Sequence, residues 1–241
     1  MQLMLNFSVK TITGIKKAMT KTMTESLSIP FFVFSDEIDA SKLIKLRKEM
    51  KASNPKLTLL PFFIKACSIA MTEYPIVNSQ VDNDLDADGF IQRYVIKHDH
   101  NFSIAIDSPD GLTVPNIKQC QTKSILKIND ELKDLQTRAS SGKLTATDFA
   151  DATFSISSVG NIGGRYFVPT ILRPQTAIIA IGKAHTYAKY REEEGDFVPA
   201  EAITFSISAD HRVLDGATVA RFATRMKQLI ENPNLMLLNM H

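Results

Sequence analysis

Two cysteines in 241 residues are too few for a disulfide framework, which excludes a small cross-linked secreted scaffold. Cys67 lies in an apolar run of helical character and Cys120 beside a predicted strand, so both thiols are expected to be reduced, in an intracellular or organellar setting. Long hydrophobic runs are missing as well. No window of about twenty residues is free of charge, so no membrane-spanning helix is expected. An excess of one charge is also lacking. The formal net charge is +2 and Lys and Arg are scattered, so a pI of 8.4 marks no face for nucleic acid. No signal or transit peptide is visible, nothing repeats, and no low-complexity linker divides the chain. The glycines near residue 160 are not followed by Gly-Lys-Ser/Thr, which excludes a phosphate loop. What remains is a chain with 44% apolar residues, long enough to bury a sizeable core, read as one α/β domain spanning 1–241.

Ile12, Ile15, Met19, Met23 and Leu27 recur at helical steps and predict a helix ending before Pro30. Phe31 to Ile38 reads as a strand. Leu43, Leu46 and Met50 mark a second helix capped by Asp39 or Ser41, and Thr58 is placed to cap a third that runs to Tyr74 with Pro61 in its first turn. Asp82 to Gly89 reads as a polar turn; its alternating acids resemble a calcium loop but lack the closing glutamate. Two strands, Phe102 to Asp107 and Leu112 to Ile117, flank a Ser-Pro-Asp-Gly turn. Ser124 starts an amphipathic helix ending near Gly142. Strands at Thr153 to Ser158, Thr176 to Ile181 and Ala202 to Ser208 follow, with a hairpin tip at Arg191 to Asp196 and a last helix from Asp215 to Glu231.

The most informative stretch is Ser208 to Gly216. It puts His211 in a short loop between an apolar strand and a helix opened by Asp215-Gly216. Histidine changes charge near neutral pH, so a histidine held by rigid elements on both sides can serve as a base there. Taken alone, His211 could instead be satisfied by neighbouring backbone, and Asp215 could be a plain N-cap. Thr153 to Gly164 is a strand running into a glycine-rich turn. Its terminal hydroxyls either donate to a developing oxyanion or belong to an ordinary strand end. His98-Asp99-His100 has no suitably spaced third ligand, so it reads as a polar strand end and no metal is expected.

The string His211-x-x-x-Asp215-Gly216, about thirty residues before the C-terminus, resembles the active-site motif of the dihydrolipoamide acyltransferases and of chloramphenicol acetyltransferase. The resemblance covers nearly the whole chain. It runs from Gly14-Ile15-Lys16-Lys17-Ala18-Met19 through Pro61 to Ala66, Gly111 to Asn116 and Ser157 to Gly164, and ends at Asn232 to Leu238. Ala209 before Asp210, Ala217-Thr218 after the glycine and the Met236-Leu237-Leu238 ending are most similar to the branched-chain 2-oxo acid dehydrogenase member; the pyruvate and 2-oxoglutarate members usually carry Tyr before that Asp.

The resemblance implies a chloramphenicol acetyltransferase-like two-layer α/β sandwich with a mixed sheet, built as a trimer that assembles into a larger cage. It implies acyl transfer between dihydrolipoamide and coenzyme A, with His211 as base, Ser157 as oxyanion donor and Asp215 holding local structure by capping or by pairing with a cation. For coenzyme A it points to Arg47, Thr58, Asp107, Gln136, Ser157, Ser158, Asn161, Gly182 and Ala184. Thr58 stands where a serine is usual, and Asn161 also departs from the expected type. The lipoyl and subunit-binding domains of the family are not seen, so the lipoyl group would ride on a domain outside this chain. The decarboxylase and dihydrolipoamide dehydrogenase components would bind through those missing parts. The implied setting is the mitochondrial matrix for a eukaryotic source and the cytoplasm for a bacterial one. Alternatives remain: a pyruvate- or 2-oxoglutarate-type enzyme, a soluble acetyltransferase like chloramphenicol acetyltransferase, and a catalytically silent assembly core. The apolar tail after Pro233, with Met236, Leu237, Leu238 and Met240, is expected to dock into a neighbouring trimer.

Overall fold

Helix α3 (Leu60–Glu73) is buried at every position from Pro61 to Met71, as a helix apolar on all sides must be. Its single cation, Lys65, is 2% exposed, and its ammonium donates to the carbonyls of Gln121 and Lys123 at 3.1 and 2.9 Å. Burial pushes the Lys65 pKa down. The computed structural model describes residues 8–82, 85–109, 111–160, 162–193 and 195–239. Around α3 pack α4 (Ile125–Ser140) and α6 (Gly216–Glu231). The buried residues of α6, from Val219 and Phe222 to Met226 and Leu229, recur at three- and four-residue steps and form its inward stripe. Helices α1 (Gly14–Ser26), α2 (Ser41–Met50) and the one-turn α5 (Ala146–Phe149) are the other α-helices among the described residues.

These helices lie against a mixed sheet. Its strands are β1 (Phe31–Asp39), β4 (Phe102–Ile104), β7 (Asn116–Ile117), β8 (Phe154–Ser158), β9 (Ala177–Ile181), β10 (His185–Arg191) and β11 (Asp196–Asp210). The order is β1-β11-β9-β8-β4-β7, with β10 also on β11. Strands β4, β8 and β9 are parallel, and the other pairings are antiparallel. Two small hairpins stand apart: β2 (Ser79–Val81) with β3 (Tyr94–Ile96), and β5 (Ile106–Ser108) with β6 (Gly111–Thr113). The α/β sandwich expected from sequence is therefore present.

Four local expectations change. The two long strands around Ser108 are each broken in two. Pro115 carries no N–H to extend the ladder beside Ile104, so the chain leaves the main sheet there and pairs again as a separate hairpin. Thr58 does not cap α3: Leu59 holds the cap position, and the Thr58 N–H goes to Asn129 Oδ1 at 3.2 Å. At α2 the cap position is Ala40, yet Asp39 Oδ1 accepts both the amide and the hydroxyl of Ser41. Finally, β11 begins at Asp196 rather than Ala202, because it pairs first with β10 and only then with β1 and β9. In the acidic turn, Asp86 Oδ1 accepts the amides of Asp88 and Phe90; Asn83 and Asp84 lie outside the described residues.

Cys67 and Cys120 are free and buried, and burial pushes the Cys120 thiol up to about 12. His100 is buried, its Nδ1 sits 2.8 Å from Ser68 Oγ, and burial, reinforced by Lys65, pushes its pKa down to about 4. No cluster of three metal-ligating side chains occurs among the described residues. No helix among them is long and apolar enough to cross a membrane.

Candidate active site

Every amide in the turn after β11 is committed. The His211 N–H donates to Pro30 O at 2.9 Å, Arg212 N–H to Asp210 Oδ1, and the Val213 and Leu214 amides to Asp210 O. Leu214 drops into the core and leaves His211 outside. The His211 imidazole has no hydrogen-bond partner among the described residues, and its ring meets that of Phe32 at 4.6 Å. Asp215 caps α6: one carboxylate oxygen accepts the Thr218 amide at 2.8 Å and the other its hydroxyl at 2.7 Å. Those two bonds hold its carboxyl below the usual range. Of the two structural roles implied for Asp215, the structure displays capping.

Ser157 lies on β8 opposite Ala180, which in turn stands opposite Ser206 of β11. This row belongs to the sheet face away from α3 and α6, since Ile156 and Ile179, one residue along, face the helices. Hydroxyls crowd this face, and most are matched. Ser155 donates to Gln175 Oε1, Ser206 pairs with Ser35, Ser208 donates to Pro169 O and Thr204 to Arg165 O. The half-buried Ser157 has no partner among the described residues.

His211 and Ser157 are not together in one chain. Ser157 is level with Ser206, while His211 stands five residues further along β11 and two strands away. At about 3.3 Å per residue and 4.8 Å per strand, the gap is roughly 20 Å. The two lie toward opposite ends of the sheet.

The residues expected to hold coenzyme A fall into two groups. Ser157, Ser158, Gly182 and Ala184 lie at the carboxyl ends of the parallel strands β8 and β9, and Asp107, exposed on β5, extends beyond the same end of β4. Ligands in open α/β sheets favour such ends. Arg47 on α2, Thr58 before α3 and Gln136 on α4 belong instead to the helical layer, where Arg47 Nε and Thr58 Oγ1 are buried without a hydrogen-bond partner among the described residues. Gln136 accepts from Lys133 at 3.3 Å. Gly182 has a structural reason to be glycine: a Cβ there would stand 2.6 Å from Arg165 O, where the segment after β8 crosses the sheet. Asn161 lies outside the described residues.

Sequence reasoning missed three features. The segment from Arg165 to Ile171 has no regular structure but is strapped onto this face by hydroxyls of Thr204, Ser208 and Ser26. Phe32 backs the imidazole. Asp210 and Arg212, the neighbours of His211 on either side, form an ion pair whose signal was an acid and an arginine flanking the histidine.

Comparisons with known proteins identify the family and the fold. The family model for 2-oxoacid dehydrogenase acyltransferases (catalytic domain) matches residues 6–238. A mouse protein named lipoamide acyltransferase component of branched-chain alpha-keto acid dehydrogenase complex, mitochondrial, is 43% identical over 233 residues, covering 95% of this chain and 47% of its own. The dihydrolipoyllysine-residue acetyltransferase component of the pyruvate dehydrogenase complex of Bacillus subtilis is 35% identical over 232 residues, covering 94% and 51%. The chain thus spans about half the length of these relatives. Among solved structures, a dihydrolipoamide acetyltransferase from Azotobacter vinelandii superimposes with TM-score 0.88 at 32% identity, over 96% of this chain and 94% of its own. A structure described as the cubic core of the pyruvate dehydrogenase multienzyme complex gives the same figures. Chloramphenicol acetyltransferase, at TM-score 0.54 and 14% identity over 92% of this chain and 100% of its own, shares the fold. With the family model covering almost all of its length, the chain belongs to the catalytic domains of the 2-oxoacid dehydrogenase acyltransferases.

Proposed function

We propose that this chain moves an acyl group between the thiol of dihydrolipoamide and coenzyme A, at a site shared between neighbouring chains of a trimer. One observation carries the reading. The two side chains suited to the chemistry, His211 and Ser157, are left without hydrogen-bond partners among the described residues, yet stand at opposite ends of one sheet. A second chain that brings its Ser157 end to the first chain's His211 end completes the pair.

The step is a thioester exchange. A thiol must lose its proton, and His211 takes it, a role typically worth about 10²- to 10⁴-fold. The thiolate attacks the thioester carbonyl, and the tetrahedral oxygen accepts a hydrogen bond from Ser157; one such donor is worth roughly 3 to 4 kcal/mol. Collapse expels the other sulfur, which recovers the proton from His211. Asp215 touches no reacting atom in this scheme; it fixes the start of α6. The Azotobacter protein is described as a study of a serine, a histidine and an asparagine in its catalytic mechanism, the asparagine four positions after the histidine. Here Asp215 stands four after His211.

Coenzyme A fits the unsatisfied groups. A buried donor without an acceptor costs about 1 to 3 kcal/mol, so Arg47 Nε and Thr58 Oγ1 suit oxygen-rich ligand groups at the nucleotide end. Asp107 and Gln136 offer further polar contacts. The pantetheine arm would run past Ser158, Asn161 and Ala184, with Gly182 contributing backbone only.

Branched-chain preference is favoured by the relatives of that name, at 41 to 43% identity, against 35 to 36% for the pyruvate type. Assembly into a cage is favoured by the C-terminal turn Pro233–Asn239. Met236 is buried in its own subunit, while Leu237 and Leu238 are exposed and suit a neighbouring trimer; Met240 lies outside the described residues. The lipoyl group, and contacts with the decarboxylase and dihydrolipoamide dehydrogenase components, would come through domains beyond this chain. The working place is the mitochondrial matrix in a eukaryote and the cytoplasm in a bacterium. The test is acyl transfer from acetyl-, isobutyryl-, isovaleryl- and succinyl-coenzyme A to free dihydrolipoamide. Branched thioesters should turn over fastest. Preference for acetyl or succinyl would reassign the subfamily, and no transfer at all would make the chain a silent core.

A further inference from the structure

On the reading that His211 is the base, the geometry points to Asp210 and Arg212 as positioning residues that fix the direction of its imidazole. The two flank His211 in sequence and are joined to each other across it. Arg212 Nε donates to Asp210 Oδ1 at 2.9 Å and Nη2 to Oδ2 at 2.7 Å, a bidentate pair. The Arg212 amide adds a third bond to the same carboxylate at 3.1 Å. Asp210 is itself fixed: its N–H donates to Thr176 O at 2.8 Å, its carbonyl accepts from Val213 and Leu214, and its side chain is 1% exposed.

An activated base needs something to orient it. In hydrolase triads a carboxylate does so by bonding the ring itself. Here no described residue hydrogen-bonds the imidazole, and the nearby carboxylate of Asp215 is spent on Thr218. Orientation therefore comes through the backbone. With the side chains on either side of His211 locked together, the one between them is directed away from the pair. There Phe32 meets its ring at 4.6 Å, while Pro30 O holds its amide. No other described residue takes a ring nitrogen, and the bond that carries the ring is held. A buried carboxylate stripped of its paired cation is strongly destabilised, so removing Arg212 should reshape this turn first.

The test is a double-mutant cycle on acyl transfer, read as kcat and KM separately. Arg212→Ala should lower kcat about a hundredfold, with KM for both substrates within about threefold of the parent. In a His211→Ala background, the same substitution should change the residual rate by less than about twofold, since nothing is left to position. Arg212→Lys keeps the charge without the fork and should recover part of the loss. Diethyl pyrocarbonate labelling of the His211 peptide, followed against pH by mass spectrometry, reads the ring independently of turnover. Its profile should move in Arg212→Ala. Should that variant fail to assemble by light scattering, Asp210→Asn takes its place in the cycle with the same expectations. A kcat near the parent's, or an equal loss with and without His211, overturns the positioning role. Full activity in His211→Ala alone is a different result: it removes the base assignment, and the proposal with it.

Discussion

The two faces of the central sheet are built from different materials. On the helix side, Phe154, Ile156, Ile179, Phe205 and Ile207 pack with α3, α4 and α6 into one continuous apolar core. On the other side stand Ser35, Ser155, Ser157, Thr204, Ser206 and Ser208, crossed by an irregular strap, with Phe31, Val33, Tyr166 and Val168 exposed around it. The first face needs nothing beyond this chain. The second carries matched hydroxyls, one unmatched hydroxyl and uncovered apolar side chains, the composition expected of a surface that a second molecule completes. Of the two residues proposed for the chemistry, Ser157 lies on the second face, while His211 meets Phe32 at the rim of the first, so core and Ser157 substitutions should fail in different ways.

The largest effect is expected on the helix side. Phe154 is fully buried, and Phe154→Ala should cost about 3 to 5 kcal/mol in urea unfolding, or prevent assembly altogether. A loss below about 1 kcal/mol would blur the contrast between the faces. Ser157→Ala should behave oppositely. It should lower kcat by about 10²-fold with little change in KM and no loss of stability, the pattern of a contact made in the transition state. A change confined to KM would make Ser157 a binding residue.

The helix side also predicts a pH response. His100 has a folded pKa of about 4, below the unfolded value near 6.5, so the unfolded chain binds the proton more readily. The stability this histidine contributes is complete above about pH 6.5 and is lost as pH falls toward 4. Unfolding of the parent should weaken by about 2 kcal/mol more between pH 7 and pH 5 than unfolding of His100→Gln. Parallel pH curves would contradict the assignment. Smallest is Arg47→Ala, which should weaken coenzyme A binding about tenfold and dephospho-coenzyme A far less, if a phosphate is its partner. Equal losses would mean that Arg47 does not meet that phosphate.

What could be read from the residues divides along the same line. Helices α4 and α6 and strands β1 and β8 declare themselves by period and cap, because Ser124 and Asp215 each bind the amide three residues on. The breaks around Pro115 were hidden, since the apolar pattern continues on both sides of a residue that merely lacks an N–H. The strap from Arg165 to Ile171 was invisible for another reason: it is held by distant hydroxyls and leaves no periodicity of its own. His211 and Ser157 could be nominated from motif and chemistry. Their separation could not, because only the strand register sets it. The Asp210–Arg212 pair was in view as letters, but its bond across the histidine depends on the turn that brings the two side chains together.

In the proposed mechanism, the base and the oxyanion donor of one site come from different chains. Co-expressing His211→Ala with Ser157→Ala tests it directly. If the site is shared around a cyclic trimer, every mixed trimer contains one interface with both residues intact, and random mixing restores about a quarter of parental activity from two inactive parents. If each chain holds a whole site, every site carries one lesion or the other, and the mixture stays as inactive as its components.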